Sequence, residues 1–233
     1  MKPACHLHDR VNLVLLPILG SLFVLGLLDY IDTKPVTVAF TAYVLLDLAW
    51  VSAIPDAVPS LPSVIQLHHV VALVLLAHPL LYPHLGKYTC WDGLCELNTF
   101  FLIARRQWKS QRTLFSAIYW ATFFPMRIFL YPYMLVYFYR ELSQPQYSRL
   151  SLVLCCGAQV VLILFNVVLL WLSVSNWWQR PARGGRRPAA PGAATATLSV
   201  GDGQSRAPKN APTARKRISR AITSARDSMR VLR

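Results

Sequence analysis

Apolar residues along this chain do not alternate with polar ones at a strand or surface-helix period. They come in blocks, each close to the roughly 20 residues that cross about 30 Å of hydrocarbon as a helix. Val11–Ile31 is the first block and Val36–Ile54 the second, with Lys34 and Pro35 at the turn between them. Pro55, Pro59 and Pro62 break the chain before the third, which runs from Pro62 to Pro83, because proline cannot continue a helix interior. Trp91–Ala104 is shorter and carries Asp92, Glu96 and Asn98, so it spans only if those groups face protein. Leu114–Tyr139 and Leu150–Ser175 complete the set. The predicted fold is all-α, a polytopic transmembrane bundle of about six spans. Val11–Ile31 is too long for the apolar core of a cleaved signal peptide and reads as a span.

The flanks differ from the blocks. Residues 1–10 read as a short polar cytosolic head, residues 11–176 as the bundle, and residues 177–214 as a disordered linker rich in Ala, Gly, Pro, Ser and Arg. In residues 215–233, Ile218, Ile222, Ala225, Met229 and Leu232 form a helical stripe surrounded by Arg and Lys, which predicts a basic amphipathic tail helix.

Composition supports the membrane reading and locates the charge. The 233 residues are 55% hydrophobic, with a mean hydropathy of +0.39. The net charge is +14, yet 13 of the 24 Lys and Arg lie in residues 180–233 beside two acids. A tail of that sign beside a membrane domain points to anionic lipid rather than nucleic acid. Basic loop residues set the orientation. Arg105, Arg106, Lys109 and Arg112 fall on the side of both termini, so both termini are expected in the cytosol. Trp177 and Trp178 fit the headgroup level. The five cysteines form no metal-binding pattern and no metal is expected; Cys90 and Cys95 would pair only if their end faced an oxidising lumen.

Polar residues inside the blocks are the candidate chemistry. Ionisable groups at membrane depth are costly and point to function by default. Asp47, His68, His69, Glu96, Asn98, Arg127, Gln159 and Asn166 lie on five of the six predicted spans, which suggests one shared polar chamber. Arg127 is permanently charged and calls for a carboxylate, from Glu96 or Asp47. His68 and His69 are about 100° apart around their helix, so one can face the chamber while the other meets a neighbour. Gln159 and Asn166 also fit plain interhelical bonding, and His78 fits the interface. The combination of His68, His69, Asp47 and Glu96 goes beyond what packing requires. Those four are the candidate catalytic set, with Gln66, Asn98, Arg127 and Asn166 as candidate lipid or substrate contacts.

The run Tyr43-x-x-x-Asp47, then Gln66-Leu67-His68-His69-Val70-Val71, then Glu96-x-Asn98-Thr99-Phe100-Phe101-Leu102 with Arg105 after it, resembles the TLC-domain family over about residues 10–175. The resemblance implies a helical bundle around a lipid-accessible cavity, usually in the endoplasmic reticulum; the plasma membrane is the alternative location for a multi-pass chain of this kind. Two branches of the family give two expectations. One is a smaller TLC-domain protein of membrane lipid homeostasis that binds acyl chains in a polar-lined cavity. The other is a sphingolipid enzyme similar to ceramide synthase, an acyltransferase using the paired histidines. The sequence looks more like the first, because Glu96-x-Asn98-Thr99 stands where the ceramide synthases carry an aspartate-rich motif. In the enzyme reading no cofactor is expected and acyl-CoA is a substrate. Arg105, Arg106 and Lys109 would then hold the CoA phosphates or a headgroup at the cytosolic mouth. A non-catalytic scaffold or small transporter is the third class, though a short chain without an obvious internal repeat argues against a standard secondary transporter.

Overall fold

The structure, a computed structural model, describes residues 2–59 and 61–178. Most of the expected linker and the whole tail helix lie outside the described residues. All regular structure among the described residues is helical. The helices are α1 (Pro3–Leu27), α2 (Thr33–Ala53), α3 (Pro62–Leu81), α4 (Gly86–Gly93), α5 (Cys95–Gln107), α6 (Arg112–Phe123), α7 (Leu130–Leu142) and α8 (Arg149–Trp178), with a π-helical stretch, Phe124–Phe129, joining α6 to α7.

Five helical stretches are long and apolar enough to cross a membrane: α1, α2, α3, the α6–α7 run and α8. The sixth expected span is a broken pair, α4–α5, that follows α1 antiparallel along its length. Gly26 meets Cys90, Gly93 meets Phe23, Gly20 meets Leu97, and Asp9 pairs with Arg106. Too polar to sit alone in lipid, the pair is enclosed by α1, α2, α3, α6 and α7. The break falls at Gly93, where a Cβ would strike the ring of the fully buried Phe23. Absence of a side chain there lets the two helices approach.

Six passes return the described chain to the end where it began. Lys2 pairs with Asp56 and Asp9 with Arg106 at that end, while Lys87 pairs with Asp29 at the other. α8 runs antiparallel to α7, with Gln159 beside Tyr131 and Asn166 beside Arg127. The basic loop after α5 therefore shares an end of the bundle with both ends of the described chain, as the charge pattern predicts.

Residues 3–10 differ from the expected polar head. Pro3 occupies the first turn of α1, where its missing N–H costs nothing, and the helix runs unbroken into the apolar block. The link from α3 is short, a single turn at Pro83–Leu85 before α4 starts at Gly86. Asp32 caps α2 by accepting from the Lys34 N–H at 3.0 Å.

Prolines shape the fifth pass. Pro125 and Pro132 each remove a backbone donor, and the chain widens into the π-helical stretch between α6 and α7. Side chains from other helices cover carbonyls along it. Asn98 donates to Tyr119 O at 2.9 Å, Cys95 Sγ to Met126 O at 3.0 Å, and Gln159 to Tyr131 O at 3.1 Å. All five cysteines are free. Cys90 lies in the core beside Phe23 and Val36, and the Cys95 thiol is held by Met126, so these two do not form a disulfide.

Candidate functional site

The polar residues divide into three groups rather than one chamber. The first is centred on Asp47, on the inner face of α2. With the carboxylate ionised, His8 Nε2–H donates to Oδ1 and His69 Nε2–H donates to Oδ2, each at 2.7 Å. All three side chains are buried. The group extends through α1, where the Asn12 amide lies 3.4 Å from His8 Nδ1 and the Tyr43 hydroxyl donates to Asn12 Oδ1 at 3.1 Å. Trp50 packs edge-on against the His8 ring, 5.4 Å between centroids. The next residue of α1, Asp9, is 1% exposed and accepts from Arg106 at 2.6 Å and Gln107 at 2.8 Å at the end of α5.

The second group surrounds Arg127 in the π-helical stretch. Its guanidinium donates to Asn98 Oδ1 at 2.9 Å, Asn166 Oδ1 at 3.1 Å, Thr99 Oγ1 at 2.8 Å and Cys95 O at 3.4 Å. No carboxylate lies within ion-pair distance among the described residues, contrary to the expected pairing with Glu96 or Asp47. Neutral dipoles from two helices, α5 and α8, take that place. Asn98 and Asn166 are consumed in holding Arg127; Gln159 Nε2 covers Tyr131 O, while its Oε1 is buried without a partner.

The third group lines a cavity of about 40 Å³ between α2, α3, α4, α5, α7 and α8. Its walls are mainly apolar, among them Phe40, Leu75, Leu76, Phe138 and Leu162. His68, Asp92 and Glu96 reach it. The His68 ring stacks on Phe165 of α8 at 5.1 Å, and its Nδ1 is buried without a hydrogen-bond partner. Asp92 Oδ1 is buried and unpartnered too, and Glu96 makes no ion pair or hydrogen bond among the described residues. Buried polar atoms without a partner are uncommon, and two of them beside the Glu96 carboxyl group on one cavity make it the place where a ligand or water would gain most.

The paired histidines therefore have different duties. His69 faces α2 and is committed to Asp47, whereas His68 faces the cavity with a free ring nitrogen. The rings are 5.6 Å apart and share no hydrogen bond. Of the four candidate catalytic residues, the structure brings His68 to Glu96 and His69 to Asp47, as two separate pairs. Gln66 lies outside the cavity, 3.4 Å from Ser52 Oγ and 3.5 Å from Val51 O, between α2 and α3. His78 is buried within α3, with Nδ1 3.3 Å from Val74 O. Among the basic trio, Arg106 is engaged by Asp9, Arg105 lies over the Tyr119 ring at 4.4 Å, and Lys109 is exposed.

Sequence reasoning missed His8 and Asp9 because they precede the apolar block, and Asn12 because it sits at the block's edge. Their signal was local: Pro3 at a helix start, then His8 and Asn12 four apart on one face. Asp92 was visible at the four-residue spacing to Glu96 but had no partner to single it out.

No curated protein and no solved structure matches the chain. A family model described as TLC domain matches residues 30–175, which takes in α2 through α8 and begins after α1.

Proposed function

The chain belongs to the TLC-domain family, and on that footing we propose that this multi-pass membrane protein handles lipid in the central cavity and serves membrane lipid homeostasis. The observation that carries the reading is His68. Its free Nδ1 opens on a mainly apolar cavity that also holds Asp92, whose Oδ1 is buried without a partner, and the Glu96 carboxyl group. A lipid combines the matching chemistries, an acyl chain for Leu75, Leu76 and Leu162 and a hydrogen-bonding end for the polar trio. At about 40 Å³ the cavity has room for a few waters, each needing roughly 10–15 Å³. Chain entry therefore requires movement between α3 and α8, where His68 stacks on Phe165.

Acyl transfer is the second reading, favoured by the same free nitrogen. His68 would take the proton of an amine or hydroxyl as it attacks an acyl-CoA thioester, and the thiolate would leave. Asp92 and Glu96 would orient the acceptor. Of the expected phosphate contacts, Lys109 is open to receive CoA. The endoplasmic reticulum and cytosolic termini suit both readings, as does attachment of the basic tail to anionic lipid.

The deciding experiment compares wild type with His68→Ala in cells lacking the endogenous protein, by lipidomics and by turnover of labelled acyl-CoA in isolated membranes. An altered lipid profile without turnover supports lipid handling. Labelled product that disappears in the variant supports acyl transfer. Identical profiles and no product from either protein would overturn both.

A further inference from the structure

Two consecutive residues of α1 reach in different directions. His8 bonds Asp47 of α2, which bonds His69 of α3; Asp9 bonds Arg106 and Gln107 at the end of α5. The α3 wall of the cavity carries His68 and the α5 wall carries Glu96. One turn of α1 is thus tied to both walls by buried, charge-assisted hydrogen bonds, the short and strong kind. That turn precedes the stretch matched by the family model.

We propose that His8 is a positioning residue of the cavity: through Asp47 and His69 it fixes the turn of α3 that carries His68, and with Asp9 it sets the distance from His68 to Glu96. The proposal rests on the reading of the cavity as the lipid site. The physical basis is the single carboxylate shared by two imidazoles. Each Asp47 oxygen has one short donor, so neither His69 nor Asp47 is free to turn while His8 is in place. Without His8, Asp47 Oδ1 is a buried acceptor lacking its donor. The carboxylate then rotates toward whatever donor it can reach and draws His69, and with it the His68 turn, along. His8 touches no cavity atom itself, so it acts only through these neighbours.

The test reads spacing and lipid separately. A His68→Cys/Glu96→Cys pair in full-length protein in membranes is linked with a short bis-methanethiosulfonate, and linked peptides are mapped by mass spectrometry. Adding His8→Leu should change the linking rate by about fivefold or more, the effect of a shift of one to two kcal/mol in the favoured arrangement. His8→Gln retains a side-chain N–H for Asp47 and should restore the original rate. An unchanged rate in His8→Leu overturns the proposal. If His8→Leu does not fold, His8→Leu/Asp47→Leu removes the buried charge as well, and an unchanged rate there overturns it equally. Failure of both leucine variants to fold assigns His8 to folding alone and also overturns it. In parallel, wild type is irradiated with a diazirine–alkyne fatty acid. Absence of labelled peptides from α3 and α8 overturns the lipid reading, while the linking rates still decide the role of His8.

Discussion

His8 and His69, on helices that lie far apart in sequence, each donate a 2.7 Å hydrogen bond to a different oxygen of the Asp47 carboxylate. The arrangement joins α1, α2 and α3 through one buried charge, and several outcomes can be measured from it and from its neighbours.

Asp47→Ala removes the acceptor of both imidazoles and leaves two buried rings without partners. Breaking a buried pair by deleting one member costs about 3–5 kcal/mol. The expected outcome is a large drop in the thermal midpoint of the detergent-solubilised protein, followed by fluorescence-detected size exclusion. A midpoint within a degree of wild type would remove Asp47 from the stabilising set.

The two neighbouring histidines should separate by phenotype. His68→Ala deletes a ring whose Nδ1 has no partner, so it should leave the thermal midpoint near wild type while abolishing the lipid effect. His69→Ala should lower the midpoint, because Asp47 loses one of its two donors, with a cost of about 1.5–3 kcal/mol for a charged hydrogen bond. Equal midpoints for the two variants would contradict this division.

Much of this architecture is legible in the sequence. Block length gives the spans, and basic residues place the loop after α5 with the ends of the described chain. Polar residues at depth locate α2, α3, α5, the π-helical stretch and α8 as the lining of the interior. What periodicity does not carry is rotation about each helix axis. Asp47, Glu96 and Arg127 all look in need of a counter-charge, yet Arg127 is satisfied by Asn98, Asn166, Thr99 and a carbonyl, and Asp47 by two histidines. Those choices are made by tertiary packing. His8 was overlooked for a related reason: a polar residue ahead of an apolar block is usually solvated, and only the fold shows it turned inward.

Arg127→Lys keeps the charge but loses the fork. A lysine ammonium cannot reach Asn98, Asn166, Thr99 and Cys95 O together from one position, so the substitution should destabilise by about 2 kcal/mol or more. Thermal midpoints of Arg127→Lys and wild type check this. Equal midpoints would mean that charge alone, rather than the planar donor set, holds the junction.

Glycines give an internal control. A Cβ at Gly157 on α8 meets nothing within 4 Å, whereas one at Gly93 meets the Phe23 ring. Gly157→Ala should therefore be neutral or stabilise by up to about 1 kcal/mol through helix propensity. Gly93→Ala should cost about 1–3 kcal/mol by overpacking. Midpoints that fall in the opposite order would mean that α1 and the α4–α5 pair pack differently.

The widened junction of α6 and α7 has a consequence for how the protein is made. Lipid offers no hydrogen bonds, so a pass that carries a guanidinium at depth is incomplete until its donors find partners. Arg127 donates to Asn98 and Thr99 of α5, which is synthesised earlier, but it also donates to Asn166 of α8, and Tyr131 O accepts from Gln159 of the same helix. The fifth pass thus enters the bilayer with its polar middle half satisfied and reaches its final state only when the last helix arrives. A ribosome stalled before α8 would leave that middle open to whatever membrane chaperone recognises polar groups in lipid.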